Sequence, residues 1–213
     1  YIPNPAEPFQ FPARWMIWLI SLLFFMSSYA YKDMQTFGIQ ILTRSGSRRA
    51  WWLSKTLWCF FGTLLFHTVL WLTVCIACLV TKAELSLVLH VDIICKLFQT
   101  FSTGTAIGEI QISILALLLP AVVSFSLCLC QMTLSLFIKP TLSFLAMAVI
   151  AIISVYLFSP VLLCNYAMPI RTEMFMSNGI NVDTGYVYAV SFVLFLILLG
   201  ALIFNSYDLI NRD

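Results

Sequence analysis

Charge is what this sequence has least of. Asp, Glu, Lys and Arg make up 9% of the 213 residues, while apolar types make up 62%. Soluble domains carry about a quarter charged residues, so a water-solvated surface is excluded as the main environment and lipid is favoured. Histidine is nearly missing, with only His67 and His90. No H-E-x-x-H is present, which argues against a zinc metalloprotease. No G-x-x-x-x-G-K-[ST] occurs, so the chain itself hydrolyses no nucleotide by a P-loop. Paired glutamates are absent from every uncharged stretch, which argues against a di-glutamate intramembrane protease. No catalytic set is assigned, the chain is read as a non-enzyme, and no cofactor, metal or nucleic acid is expected.

What is present is length without charge. A helix needs roughly 20 apolar residues to cross the hydrocarbon layer. Five stretches meet or approach that, about 14–31, 56–81, 110–138, 141–164 and 186–207. The fold class is therefore all-α, a single polytopic transmembrane bundle with five spans in this chain. Trp15, Trp18, Tyr29 and Tyr31 read as aromatic belts at the two ends of the first span. No alternating ten-residue pattern supports a barrel.

The loops between the spans differ in charge. One alternating set holds Lys32, Arg44, Arg48, Arg49, Lys55, Lys139 and Arg212 with Asp33, Asp208 and Asp213. The other holds Arg14, Lys82, Lys96 and Arg171 with Glu7, Glu84, Asp92, Glu109, Glu173 and Asp183. The positive-inside rule assigns the first set to the cytoplasm, so the C-terminus is expected inside and the N-terminal end outside the cytoplasmic (plasma) membrane. The outer loops are then 82–109 and 165–185. The stretch Tyr1–Pro12, with Pro3, Pro5, Pro8 and Pro12, lacks the charged and apolar regions of a signal peptide. A chain that starts outside without one leads to the expectation of an upstream helix and a six-helix parent.

The seven cysteines, Cys59, Cys75, Cys78, Cys95, Cys128, Cys130 and Cys164, lie mostly in apolar spans and read as small apolar side chains. Cys75-x-x-Cys78 has zinc-like spacing but no second ligand pair. His67 is the one ionisable side chain within a span, which makes it an intramembrane functional candidate. A neutral histidine bonded to a neighbouring helix is the plainer reading. In the outer loop, Met168, Ile170, Met174, Phe175 and Met176 predict a segment ordered against the bundle.

The informative segment is 32–55, KDMQTFGIQILTRSGSRRAWWLSK. Met34, Phe37, Ile41 and Leu42 share one face at helical spacing. Arg44, Ser45, Gly46, Ser47, Arg48 and Arg49 then form a tight, basic tip, in which Gly46 accommodates positive φ. Trp51 and Trp52 are expected to anchor the following helix at the headgroups. A topogenic basic loop explains the charges; a protruding elbow that binds a cytosolic partner explains the compact arrangement as well.

FGIQILTRSGSRRAWWLSK followed by a long apolar helix resembles the loop between the second and third helices of ABC-2-type transporter permeases, especially small ones of Gram-positive bacteria linked to antimicrobial peptide export or immunity. QMTLSLFIKP at Gln131–Pro140, SPVLLCNYAMPIRTEMF at Ser159–Phe175, Ser177-Asn178-Gly179-Ile180 and the tail FNSYDLINRD are similar too. The resemblance implies a permease subunit that pairs with a second permease subunit, in a homo- or heterodimer. The pair would rest on separate ATP-binding subunits, and residues 44–49 would be the coupling contact. The cargo implied is peptide-like or amphipathic. The competing class is a non-transporting membrane anchor or sensor that recruits a cytosolic partner. A pathway lined by polar groups would favour the first, a dry packed bundle the second.

Overall fold

The computed structural model describes residues 12–35, 47–82, 109–173 and 179–205. They form six α-helices, α1 Ala13–Ser27, α2 Tyr29–Gln35, α3 Arg48–Thr81, α4 Glu109–Leu134, α5 Pro140–Tyr156 and α6 Val182–Asn205. Two 3-10 turns, Leu163–Ala167 and Pro169–Arg171, lie between α5 and α6. Among the described residues the sole β-type pairing is an isolated bridge between Thr172 and Ile180. Four segments are long and apolar enough to cross a membrane: Ala13–Asp33, which takes in α1 and most of α2, then α3, Leu117–Leu134 of α4, and α6. The fifth hydrophobic helix, α5, has 17 residues. The chain is an all-α membrane protein.

The first expected span is divided at Ser28, where α1 gives way to α2. The second begins at Arg48, eight residues before the uncharged stretch starts, because Ser47 caps it: its hydroxyl accepts from the Ala50 amide at 3.3 Å. Such a side-chain oxygen satisfies an amide that the first helical turn leaves open. The fourth stops at Tyr156 rather than continuing to Cys164. Pro160 explains the stop, since it has no N–H to give to the carbonyl four residues back and disfavours helical geometry at the residue before it. The polypeptide then folds back as the buried turn Leu163–Ala167.

α4 is the central element and packs against α1, α3, α5 and α6 as well as the turn Leu163–Ala167. The shared core is built from Leu19, Leu22 and Leu23 of α1, Val123, Leu127 and Leu129 of α4, Ala151 of α5 and Ala189 of α6. Helices surrounded by lipid gain little from apolar burial against one another, so close approach and hydrogen bonds decide packing. Both are visible here. Gln131 donates from α4 to the Leu23 carbonyl of α1 at 3.0 Å. Ser126 donates to the Ala189 carbonyl of α6 at 3.3 Å. Trp52 donates from α3 to the Ile197 carbonyl of α6 at 3.0 Å.

Candidate functional site

The flanks of the segment 36–46 bring charged and aromatic side chains together. Lys55 is 7% exposed and its Nζ lies 2.6 Å from Oδ2 of Asp33, off the line of a well-aligned hydrogen bond, so the contact is chiefly ionic. The same ammonium donates to the Tyr29 hydroxyl at 3.3 Å and stands over the rings of Tyr29 and Trp51, 4.9 and 5.4 Å from their centroids. Tyr29 is itself stacked on Trp58 with centroids 4.7 Å apart. A cation so placed is held by a carboxylate, a hydroxyl and two ring faces at once. The pair ties the end of α1–α2 to the start of α3, on either side of the segment 36–46.

The structure places the sequence-selected residues unevenly. Arg44, Ser45 and Gly46 lie outside the described residues. Ser47 is the cap of α3. Arg48 donates to the Asn205 carbonyl at the C-terminal end of α6 at 3.0 Å, a cation where that helix leaves carbonyls open. Arg49 is exposed at the same end. Trp51 and Trp52, expected at the headgroups, are 5% and 0% exposed and packed within the bundle. Trp51 stacks on Phe204 at 4.5 Å, and Trp52 occupies space that only Gly200 leaves open, since a Cβ at that position would overlap its indole. Both rings face α6 because an antiparallel neighbour offers a carbonyl and a gap, which lipid does not.

His67 sits inside the bundle, 2% exposed. Its Nδ1 lies 2.9 Å from the Thr63 carbonyl one turn earlier, so its bond is within α3 rather than to a neighbouring helix. Thr56, Cys59, Thr63 and His67 recur at three- and four-residue spacing on the buried face of α3. The Cys128 thiol of α4 meets the side chains of Cys59 and Thr63 there. Ser124 and Gln131 of α4 continue this polar seam, and Oγ of Ser124 and Oε1 of Gln131 have no partner among the described residues. No group of three or more metal-ligating side chains occurs among the described residues. Cys75 and Cys78 are free thiols, as is Cys164. His90, Cys95 and the segment 83–108 lie outside the described residues, as do 174–178 and the tail 206–213.

At the opposite end Arg171 was not selected from sequence as a site residue, yet it is 1% exposed. Its guanidinium donates to the Ser154 carbonyl at 2.5 Å, to the Val155 carbonyl at 2.6 Å and to Oδ1 of Asn165. The first two are carbonyls of the last turn of α5, so the arginine is a side-chain cap. Burial lowers its pKa to about 10. Asn165 completes the knot by donating to the carbonyls of Leu157 and Ser159 at 3.0 and 2.8 Å. Burial likewise pushes the neighbouring Cys164 thiol up to about 11. Of the residues expected to order the loop 165–185 against the bundle, Met168 is buried and Ile170 half-buried, whereas Met174, Phe175 and Met176 lie outside the described residues.

A family model described as Protein of unknown function (DUF2705) matches residues 7–210. Neither a curated protein nor a solved structure matches the chain.

Proposed function

We propose, from the premise that this chain belongs to the DUF2705 family, that it is the membrane-spanning permease subunit of an ABC transporter. It moves a peptide-like or amphipathic substrate across the cytoplasmic membrane, and a separate ATP-binding subunit hydrolyses the ATP. The observation that carries this reading is the fixing of both flanks of the segment 36–46. On one side Asp33 holds Lys55 at 2.6 Å; on the other Ser47 caps α3 and Arg48 reaches the end of α6 at 3.0 Å. A segment rooted in this way transmits a push from a bound partner into α1, α3 and α6, whereas a purely topogenic loop has no use for such roots. In this reading the Lys55 end faces the cytoplasm and a second permease subunit completes the pathway.

Since Arg48 is engaged with α6, the contact with the ATP-binding subunit falls chiefly to Arg44 and Arg49. A partner shifts a conformational equilibrium only through different affinities for its two states, and charge-assisted contacts at this tip supply such a difference. The full chain, solubilised in mild detergent from its native membrane, is expected to co-purify with an ATP-binding subunit. Arg44→Gln combined with Arg49→Gln is expected to weaken that association while Lys32, Arg48 and Lys55 preserve the orientation. Recovery of the unaltered chain with no nucleotide-binding protein overturns the transporter reading. Full association and transport by the double variant overturns the assignment of the two arginines alone.

A further inference from the structure

α5 is too short to cross the hydrocarbon layer by itself. Its 17 residues rise about 26 Å at 1.5 Å each, against a layer of about 30 Å. Lys139 stands at its entry, and no charged residue follows until Arg171. Residues 157–170 are therefore as free of charge as the helix, although they leave it for irregular backbone and short turns. Within hydrocarbon, such backbone persists only where the protein itself satisfies its polar groups. Here it does. The carbonyls of Ser154 and Val155 accept from the Arg171 guanidinium, and those of Leu157 and Ser159 from the Asn165 side-chain amide. Tyr166 donates its hydroxyl to the Pro160 carbonyl, and Tyr188 of α6 to that of Val161, each at 3.0 Å. The Leu162 carbonyl takes the backbone N–H of Asn165 at 2.9 Å.

Six carbonyls between 154 and 161 thus take a side-chain donor. A loop in water has no need of such a set, because solvent serves its carbonyls. The donors stand on the bundle side. Asn165 and Arg171 are buried, and the Tyr166 ring lies so close to α6 that a Cβ on Gly185 would overlap it. The other side is apolar. Leu157, Phe158 and Val161 are exposed, the last at 72%. The exposed apolar surface continues along α6 through Val187, Val190 and Leu194, as a lipid-facing surface does. We propose that Leu157–Leu162 is an intramembrane loop, set in the hydrocarbon layer at the end away from Lys55, and that Leu157, Phe158 and Val161 are its contact with lipid acyl chains. The loop finishes the crossing that α5 begins. This holds with or without the transporter reading.

The test uses the full chain in phosphatidylcholine nanodiscs, with para-trifluoromethylphenylalanine in place of Phe158. That change keeps the ring and every native thiol. Two relaxation agents are compared, phosphatidylcholine bearing a nitroxide on its acyl chain and a water-soluble gadolinium chelate. The nitroxide lipid is expected to broaden the fluorine signal and the chelate to leave it sharp. The same label in place of Leu145, exposed within α5, is the lipid reference, and in place of Lys139 the aqueous one. In place of Val161 it is expected to repeat the result, and position 158 decides should that variant not fold. Broadening by the chelate and not by the nitroxide puts the loop in water and overturns the proposal. A signal sheltered from both agents means that a protein surface covers the loop, and overturns it equally. Val161→Asp gives an independent readout, since a carboxylate in hydrocarbon is costly and one in a watery loop is not. Its thermal midpoint in nanodiscs is expected to fall by several degrees, and an unchanged midpoint overturns the proposal.

Discussion

Trp52 lies directly against Gly200 where α3 meets α6, and a single methyl group tests the contact. Gly200→Ala places a Cβ within the indole's own volume, so one helix must shift. Overpacking of this kind costs about 1–3 kcal/mol, and thermal unfolding in detergent is expected to show a lowered midpoint. The Lys55–Asp33 pair behaves differently. Lys55→Met strands a carboxylate that is only 19% exposed, and the loss is expected to approach the roughly 3 kcal/mol of a broken buried pair. Lys55→Met combined with Asp33→Asn removes both charges and is expected to recover most of it. A double variant no more stable than Lys55→Met would show that the carboxylate is not held by the lysine. Neither contact was legible in the sequence. Two tryptophans beside a basic tip fit a headgroup belt and a helix interface equally well, and only the position of α6 turns them inward. Asp33 and Lys55 are separated by a segment whose path no local pattern fixes, so their pairing is a tertiary fact.

At the level of elements, the hydrophobic helices were readable because absence of charge over twenty residues is a strong signal. Their ends were less so. Residues beyond Tyr156 are as apolar as those before it, and hydropathy does not register that Pro160 and a buried arginine end α5 there. Arg171 is invisible to composition, since one cation in an apolar loop reads as an exposed charge. Its fork bridges two carbonyls and an amide oxygen, which a lysine's single ammonium cannot match. Arg171→Lys is therefore expected to loosen the turn Leu163–Ala167. Trypsin cuts after either residue, so faster cleavage at position 171 in the folded variant is the readout, and equal rates would remove the cap from the account. Cys164 gives a second measure of the same turn. With its pKa near 11, only about one thiol in a thousand is ionised at pH 8. Alkylation in the folded protein is expected to be slow and to accelerate toward pH 11. The sign for stability follows: a raised pKa favours the neutral thiol, so this contribution is whole below pH 9 and fades as pH rises through 11. Arg171→Lys is expected to speed alkylation at pH 8.

For the whole molecule, the alternation of basic and acidic loops carries the proposed orientation, and labelling tests it directly. A single cysteine introduced at position 46, with the native thiols replaced, is expected to react only with reagent supplied from the cytoplasmic side. One at position 90 is expected to react only from the other side, and labelling of position 46 from outside in intact cells would invert the arrangement. One feature of the fold bears on the membrane itself. α3 has 34 residues, of which the uncharged part 56–81, 26 residues, belongs in hydrocarbon; at 1.5 Å each that part is about 39 Å long, against a layer of about 30 Å. Upright it overshoots by about 9 Å, whereas inclined by about 40° it rises about 30 Å. Its last turns are apolar on the outside, with Leu72, Val74, Ile76, Leu79 and Val80 all exposed. An upright α3 would thus be mismatched to an ordinary bilayer, and lean, local swelling of the lipid or cover from another surface absorbs the excess. Thick membranes relieve that strain and thin ones sharpen it, which makes bilayer thickness a variable that sets the tilt of the helix carrying the basic tip.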